Sequence, residues 1–336
     1  MKKAIKLKIG ALIIALLGIT IYSSAEQIPT MSPELFTANP YSMKTENTCT
    51  LPDGRILGYA EYGDTNGVPV LYFHGGQESR LSSRFMDSTA LKLGVRIIAP
   101  DRPGVGLSTF QKDRSFLDWA KDIESLAEHL ELETFSVFGL SGGAPHVLAC
   151  AYALPDRILN VSIISGTGPH HYKGKLKGVW FPVKIMHWFA TAKKDNNLRG
   201  FINSEYNTLK EKPEKRLRQL QRYLPDADSK LLKENPAYGV DFIQGSMEAY
   251  KQGNEAVVQE WKLYVADWGI PLEKINTHIN LWYGAEDKMA PKYRGIYYHN
   301  ILKDSDLHIF ENEGHFSLIR NHLEAILTQL RLESAT

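Results

Sequence analysis

From about residue 48 the chain alternates between short apolar runs and longer stretches with helical spacing. Residues 55–62 follow the turn signal Pro52-Asp53-Gly54 and read as a strand near a sheet edge. Further apolar runs at 68–73, 95–99 and 135–138 end in His74-Gly75-Gly76, in Pro100-Asp101-Arg102-Pro103-Gly104 and in Gly139. Continuous runs this short, closed by glycine, suit strands buried on both faces of a parallel sheet. Residues 161–165, 279–283 and 307–310 repeat the signal. Between the runs the period changes. Across 115–130, Phe116, Ala120, Ile123, Leu126, Ala127 and Leu130 recur at helical spacing, and Ser115 with Asp118 forms a capping pair. Residues 142–154 and 316–332 read as helices too. Strand, helix, strand in repetition predicts an α/β fold, a mostly parallel central sheet with helices on both faces.

One stretch breaks the rhythm. Residues 168–276 contain no buried-strand run and are rich in Lys, Glu, Tyr and Trp at helical spacing. The segment lies between two sheet strands, so it is expected to form a helical cap above the sheet. The organisation expected is a first sheet portion at 48–167, the cap at 168–276 and a second sheet portion at 277–336, behind a polar segment at 26–47.

Residues 1–25 are different again. Lys2, Lys3, Lys6 and Lys8 precede an apolar run over 9–22, and Ser23 and Ala25 are small where a signal peptidase reads. Charged, apolar, small-residue site is the order of a secretory signal. A helix over residues 9–25 would reach about 25 Å, short of the roughly 30 Å hydrocarbon core. An exported, extracytoplasmic protein is expected. A cleaved signal is favoured over an uncleaved anchor, which would associate the chain with a membrane through these residues.

Composition adds mainly exclusions. A net charge of +1 gives no whole-molecule bias toward nucleic acid, and no nucleic-acid module is visible. Two cysteines, Cys49 and Cys150, do not make a disulfide framework. Cys150, within Val147-Leu148-Ala149-Cys150-Ala151, reads as a buried small hydrophobe.

The candidate chemistry lies at the ends of the apolar runs. Gly139-Leu140-Ser141-Gly142-Gly143 is a G-x-S-x-G placed directly after one run and directly before a helix. A sharp strand-to-helix turn would strain the serine and expose its hydroxyl, which makes Ser141 the candidate nucleophile. A serine needs a base. Of eleven histidines, His315 lies in a loop after the run at 307–310 and just before a helix, at the carboxyl edge where ligands bind in open α/β sheets. His308 falls inside a strand, and His129 and His146 on helices. His170 and His171 follow a strand and could line a pocket, but lack Cys or carboxylate ligands at metal spacing. The orienting acid is Asp287, in Gly284-Ala285-Glu286-Asp287 after the run at 279–283, with Glu286 as its adjacent alternative. Backbone N–H groups of Gly142 and Gly76 are the candidate oxyanion donors, with Gln77 second to Gly76 and a candidate substrate contact. No metal or other cofactor is required.

These motifs together resemble the α/β-hydrolase superfamily, in the group whose cap follows the sixth strand. Leu51-Pro52-Asp53-Gly54, His74-Gly75-Gly76, the run from Asp101 through Arg102, Pro103, Gly104, Val105, Gly106 and Leu107 to Ser108, Gly139 to Gly143, Asp287 and Gly314-His315 match its pattern and order. The resemblance covers about residue 49 to the C-terminus, apart from the cap. It implies the α/β-hydrolase fold, the chain order Ser, Asp, His for the triad, and a shaping role for the loop from Asp101 to Ser108. Ser141 stands where haloalkane dehalogenases and epoxide hydrolases carry a nucleophilic aspartate, which argues against both. Proline iminopeptidases continue His-Gly-Gly with Pro-Gly; here Gln77-Glu78-Ser79 follows.

The resulting expectation is hydrolysis of a small or medium acyl ester, less readily an amide, by a Ser141–His315–Asp287 acyl-enzyme mechanism with a small-molecule acyl substrate. Three alternatives stay open: a ligand receptor with slow turnover on the same fold, a proline-iminopeptidase-like peptidase, and another triad reaction such as carbon–carbon bond hydrolysis or perhydrolysis. In the cap, Trp180, Phe181, Val183, Ile185, Met186, Trp188 and Phe189 mix with Lys173, Lys175, Lys177, Lys184, Lys193 and Lys194. This segment reads as a helix packed on the sheet domain, as the lining of an acyl pocket with Trp188 touching substrate, or as a basic amphipathic helix for an anionic membrane surface.

Overall fold

The computed structural model describes residues 42–332. The expected signal or anchor, residues 1–25, and most of the polar segment at 26–47 lie outside the described residues. After a single helical turn at Ser42–Thr45 the chain enters β1 (Asn47–Thr50) and β2 (Ile56–Gly63), joined by the Pro52-Asp53-Gly54 turn, with Gly54 at φ 83°. Gly54 N donates to Leu51 O at 2.9 Å, closing that turn. β3 (Val68–Phe73) leads through a 3₁₀ stretch at Arg80–Met86 into α1 (Asp87–Leu93) and β4 (Val95–Pro100). The order continues with α2 (Phe116–His129), β5 (Phe135–Leu140), α3 (Ala144–Ala153) and β6 (Ile158–Ile164).

These strands and β7 (Ile279–Gly284) and β8 (Ser305–Phe310) form one eight-stranded sheet in the order β1-β2-β4-β3-β5-β6-β7-β8. From β4 to β8 all pairs are parallel; β2 runs antiparallel to both β1 and β4. The strand at 56–63 is therefore second from the edge. The four-residue β1, too short and polar to give an apolar signal, covers it with Asn47 opposite Tyr59 and Thr50 opposite Ile56.

Side-chain alternation along the strands builds two cores. Leu71, Phe73, Val137, Val161 and Leu281 face one side, where they pack with Trp119 and Ile123 of α2 and Leu148 of α3. Val70, Tyr72, Phe138, Ile164 and Trp282 face the other, against Ala90 of α1 and Leu318, Leu323 and Ile326 of α11 (Phe316–Arg331). The helices thus lie on both faces of a mostly parallel sheet. α10 (Tyr293–Ile301) adds Tyr298 to the first core. The start of α2 carries the capping box read from sequence: Ser115 Oγ accepts from Asp118 N at 3.2 Å while Asp118 Oδ2 accepts from Ser115 N at 2.9 Å.

Between β6 and β7 the chain leaves the sheet and forms six helices: α4 (Phe181–Thr191), α5 (Asn196–Glu211), α6 (Pro213–Tyr223), α7 (Asp226–Glu234), α8 (Pro236–Ala249) and α9 (Glu255–Val265). Three begin with proline in their first two positions and α9 follows Gly253, so short helices succeed one another with sharp breaks. This insertion is a helical cap placed after the sixth strand.

Candidate active site

The residues singled out for the triad and the oxyanion contacts, Ser141, Asp287, His315, Gly76 and Gly142, follow the carboxyl ends of parallel strands. β5 is buried along its whole length and ends at Leu140. The next residue, Ser141, has φ 53°, a left-handed conformation that a side chain adopts only at a cost of about 1–3 kcal/mol. The turn it makes is fixed from two sides. Thr167 N donates to Ser141 O at 2.9 Å, tying the turn to the end of β6. At Gly143 a Cβ would lie 3.0 Å from Phe73 C, so only glycine lets the turn press against β3. Ser141 stays half-buried within this otherwise closed strand-to-helix corner.

His315 sits at the N-terminus of α11, 1% exposed, and Asp287 follows β7, 3% exposed. His315 Nδ1 lies 2.8 Å from Asp287 Oδ2. The other oxygen, Oδ1, accepts from Met289 N at 2.7 Å and Ala290 N at 2.8 Å. The carboxylate that meets the His315 ring is thus that of Asp287; Glu286 is partly exposed and donates its backbone N–H to Glu313 O at 3.0 Å. Burial alone would lower the His315 imidazole, but the charges of Asp287, Asp228 and Glu78 and the bond to Asp287 outweigh it and hold it above its usual value. Burial likewise opposes ionisation of Asp287, yet His315 and the amide of Ala290 bring its carboxyl below the ordinary range.

The Gly76 and Gly142 backbones meet beside the serine: a Cβ at Gly142 would stand 2.9 Å from Gly76 N and against Tyr264 Oη. Arg102 fixes the Gly76 loop, donating from Nη1 to His74 O at 2.5 Å and from Nη2 to Gly75 O at 2.7 Å. Glu260 of α9 holds Arg102 at 3.2 Å, pairs with Arg114, and accepts from Tyr264 Oη at 2.7 Å. The loop from Asp101 to Ser108 therefore shapes this edge directly. Asp101 is fully buried, accepts from Arg80 N at 2.7 Å and pairs with Arg80 Nη1 at 2.7 Å. Burial and then the positive Arg102 push both His74 and His146 well below the usual imidazole value. His74 Nδ1 lies 3.0 Å from Gly75 O, and His146 Nδ1 lies 3.1 Å from Gly142 O, both structural contacts.

The cap closes over this edge through several contacts. Gln77, at φ 60°, donates from Nε2 to Tyr250 Oη at 3.0 Å. The Phe242 and Phe316 rings meet edge-on at 4.9 Å. Trp188 lies away from such contacts: on α4 its side chain is 65% exposed, as is Phe181 at 63%, and its ring stacks on neighbouring Phe189. The buried positions of α4 are Met186, His187 and Ala190. His170 stacks on His187 at 5.7 Å and His171 Nε2 lies 3.4 Å from Tyr297 Oη. Among the described residues no group of three or more His, Cys, Asp or Glu is placed to hold a metal ion.

Three neighbours of this candidate site escape the sequence reading. Glu78, 5% exposed, accepts from Gly75 N at 3.3 Å, and burial pushes its carboxyl up to about 7. A charged residue in a glycine loop after β3 was its only signal. Tyr264 and Asp228 come from cap helices, whose docking on the sheet no local pattern encodes.

The family model described as alpha/beta hydrolase fold matches residues 68–321. The chain belongs to the α/β-hydrolase family. A non-heme chloroperoxidase of Streptomyces lividans is 29% identical over 161 residues, 46% of this chain and 57% of that protein. A proline iminopeptidase of Arabidopsis thaliana is 31% identical over 125 residues, 35% of this chain and 31% of that protein. The matches thus span little more than half of these curated relatives at most. In structure, the chain is similar to an esterase from Exiguobacterium antarcticum, with a TM-score of 0.60, 18% identity, and coverage of 84% of this chain and 98% of that one. That likeness is one of fold.

Proposed function

We propose that this α/β-hydrolase is a serine esterase that acts on small or medium acyl groups through an acyl-enzyme. The observation that carries the reading is the 2.8 Å contact between His315 Nδ1 and Asp287 Oδ2, at the same sheet edge where Ser141 is held at φ 53°. With Nδ1 engaged by the carboxylate, Nε2 is the nitrogen left to take a proton. Ser141 Oγ attacks the carbonyl carbon as its proton passes to His315. Gly142 N and Gly76 N receive the developing oxyanion. Collapse expels the alcohol, which takes the proton from His315, and water then repeats the sequence on the acyl-serine. Asp287 keeps the imidazole in one tautomer and balances its charge while it is protonated.

The names of the relatives extend the range to test. The iminopeptidase relative raises an amide substrate, against which the Gln77-Glu78-Ser79 continuation weighs, and the chloroperoxidase relative raises perhydrolysis at the same serine. The test is labelling by a fluorophosphonate probe followed by a panel of p-nitrophenyl esters. The wild-type chain should label at one serine and turn over acetate to hexanoate esters. Ser141→Ala should abolish labelling and lower kcat by on the order of a thousandfold or more with the melting temperature retained. Labelling that survives in Ser141→Ala would overturn the assignment.

A further inference from the structure

The cap contributes a carboxylate to the inner face of the site. Asp228 lies in the first turn of α7 and is 0% exposed. Its Oδ2 accepts from His315 N at 2.9 Å, and its Oδ1 accepts from Phe316 N at 2.8 Å and Ser317 N at 3.0 Å. These are the first-turn amides of α11, which have no partner within their own helix. A helix start is ordinarily satisfied by a residue adjacent in sequence, through one such bond. Here His315, at the cap position, supplies no side-chain bond, and a residue 87 positions upstream supplies all three. The approach is open only because residue 314 is glycine, where a Cβ would stand 2.5 Å from both Asp228 oxygens. Among the described residues no Lys or Arg pairs with Asp228. Burial pushes its carboxyl above the ordinary value, and the amides of Ser317 and His315, the His315 ring and the positive end of α11 act against that rise.

We propose that Asp228 is a positioning residue for His315, through which docking of cap helix α7 sets the place and the charge of the catalytic base. The inference rests on the reading of Ser141, His315 and Asp287 as an acyl-transfer site. The backbone N–H of the base is itself one of the three donors, so a shift of α7 acts directly on the backbone of His315. A misplacement of about 1 Å can cost roughly a hundredfold in rate. The same carboxylate acts on charge. His315 is faced by Asp287 from the loop after β7, Asp228 from α7 and Glu78 from the loop after β3, and all three favour the imidazolium. Asp228 in turn is faced by Asp287 and His315, and Tyr238 of α8 lies within its field. Removing the charge of Asp228 therefore lowers the proton affinity of the base.

The test compares Asp228→Asn and Asp228→Ala with the wild type in the full chain. The Asn variant keeps the shape and one accepting oxygen, so it remains informative should the Ala variant fail to fold. Fluorophosphonate labelling is followed against pH, alongside melting temperature and the NMR titration of the His315 ring. Labelling at the plateau should fall roughly tenfold to a hundredfold. The acid limb, where His315 must lose its proton, should move to lower pH in both variants. The ring titration, which needs no turnover, should move the same way. A lowered melting temperature with wild-type plateau rate, acid limb and ring titration would reduce Asp228 to a helix cap and overturn the proposal. Failure of the wild type to label would instead sink the serine-hydrolase reading, and the ring titration would still decide the role of Asp228.

Discussion

Asp287 divides its two oxygens between the base and the backbone: Oδ2 serves His315 and Oδ1 serves the amides of Met289 and Ala290. Replacing it with asparagine turns one oxygen into a donor. The amide then either breaks the turn at 289–290 or faces His315 Nδ1 with the wrong polarity, which favours the other tautomer. Asp287→Asn should lower kcat roughly 10⁴-fold at pH 7. Glu286→Gln, one residue away and without a side-chain contact to the base, should leave kcat within a few-fold of wild type. Steady-state rates on one ester decide it, and reversed effects would reassign the acid. Ser141, Asp287 and His315 were legible because each is tied to a local signature, an apolar run ending in a small loop. Glu78 and Asp228 were not. Their meaning depends on which distant backbone amides they meet, Gly75 N in one case and the first turn of α11 in the other.

Among the elements, the strands from residue 55 onward and the helices read at 115–130, 142–154 and 316–332 followed their periods closely, whereas α1 and α10 were not read from the sequence. The run at 135–138 extends to Leu140, that at 307–310 begins at Ser305, and the capping pair at Ser115 and Asp118 marks the start of α2 as read. β1 gave no signal because four polar-rich residues on an edge need bury only Cys49. The cap was legible as helical, but not as to which side of each helix faces inward. α4 illustrates why. It is apolar on most of its circumference, so aromatic bulk alone does not choose a face, and Met186, His187 and Ala190 are the residues buried. Trp188 keeps most of its ring in water, so its removal forfeits little buried area. Trp188→Ala should change stability within about 0.5 kcal/mol, as surface substitutions do. Ile202→Ala in α5, where the side chain is 0% exposed, should cost about 2–5 kcal/mol through the cavity it leaves. Paired thermal melts test this. A large loss at Trp188 would mean that α4 buries its aromatic face in solution.

At the scale of the whole molecule, stability comes from two apolar layers on opposite faces of one sheet, and the two cysteines belong to one of them. Cys49 on β1 and Cys150 on α3 are 2% and 0% exposed and both are free thiols. A chain of this length buries enough apolar surface to fold without covalent staples. Export to an oxidising compartment would therefore place two unpaired thiols in a setting where exposed ones pair or oxidise. Burial is what protects them. It raises both thiols above their ordinary value, Cys150 far above, so neither presents the thiolate that attacks a disulfide or a peroxide. Reaction must then wait for the first core to open. The native protein should give no fast reaction with Ellman's reagent, and both thiols should react after unfolding in guanidinium. Its melting temperature should be the same with and without reductant. A thiol that reacts quickly in the native state would show that β1 or α3 opens without global unfolding. A melting temperature that falls on reduction would show that the two cysteines pair.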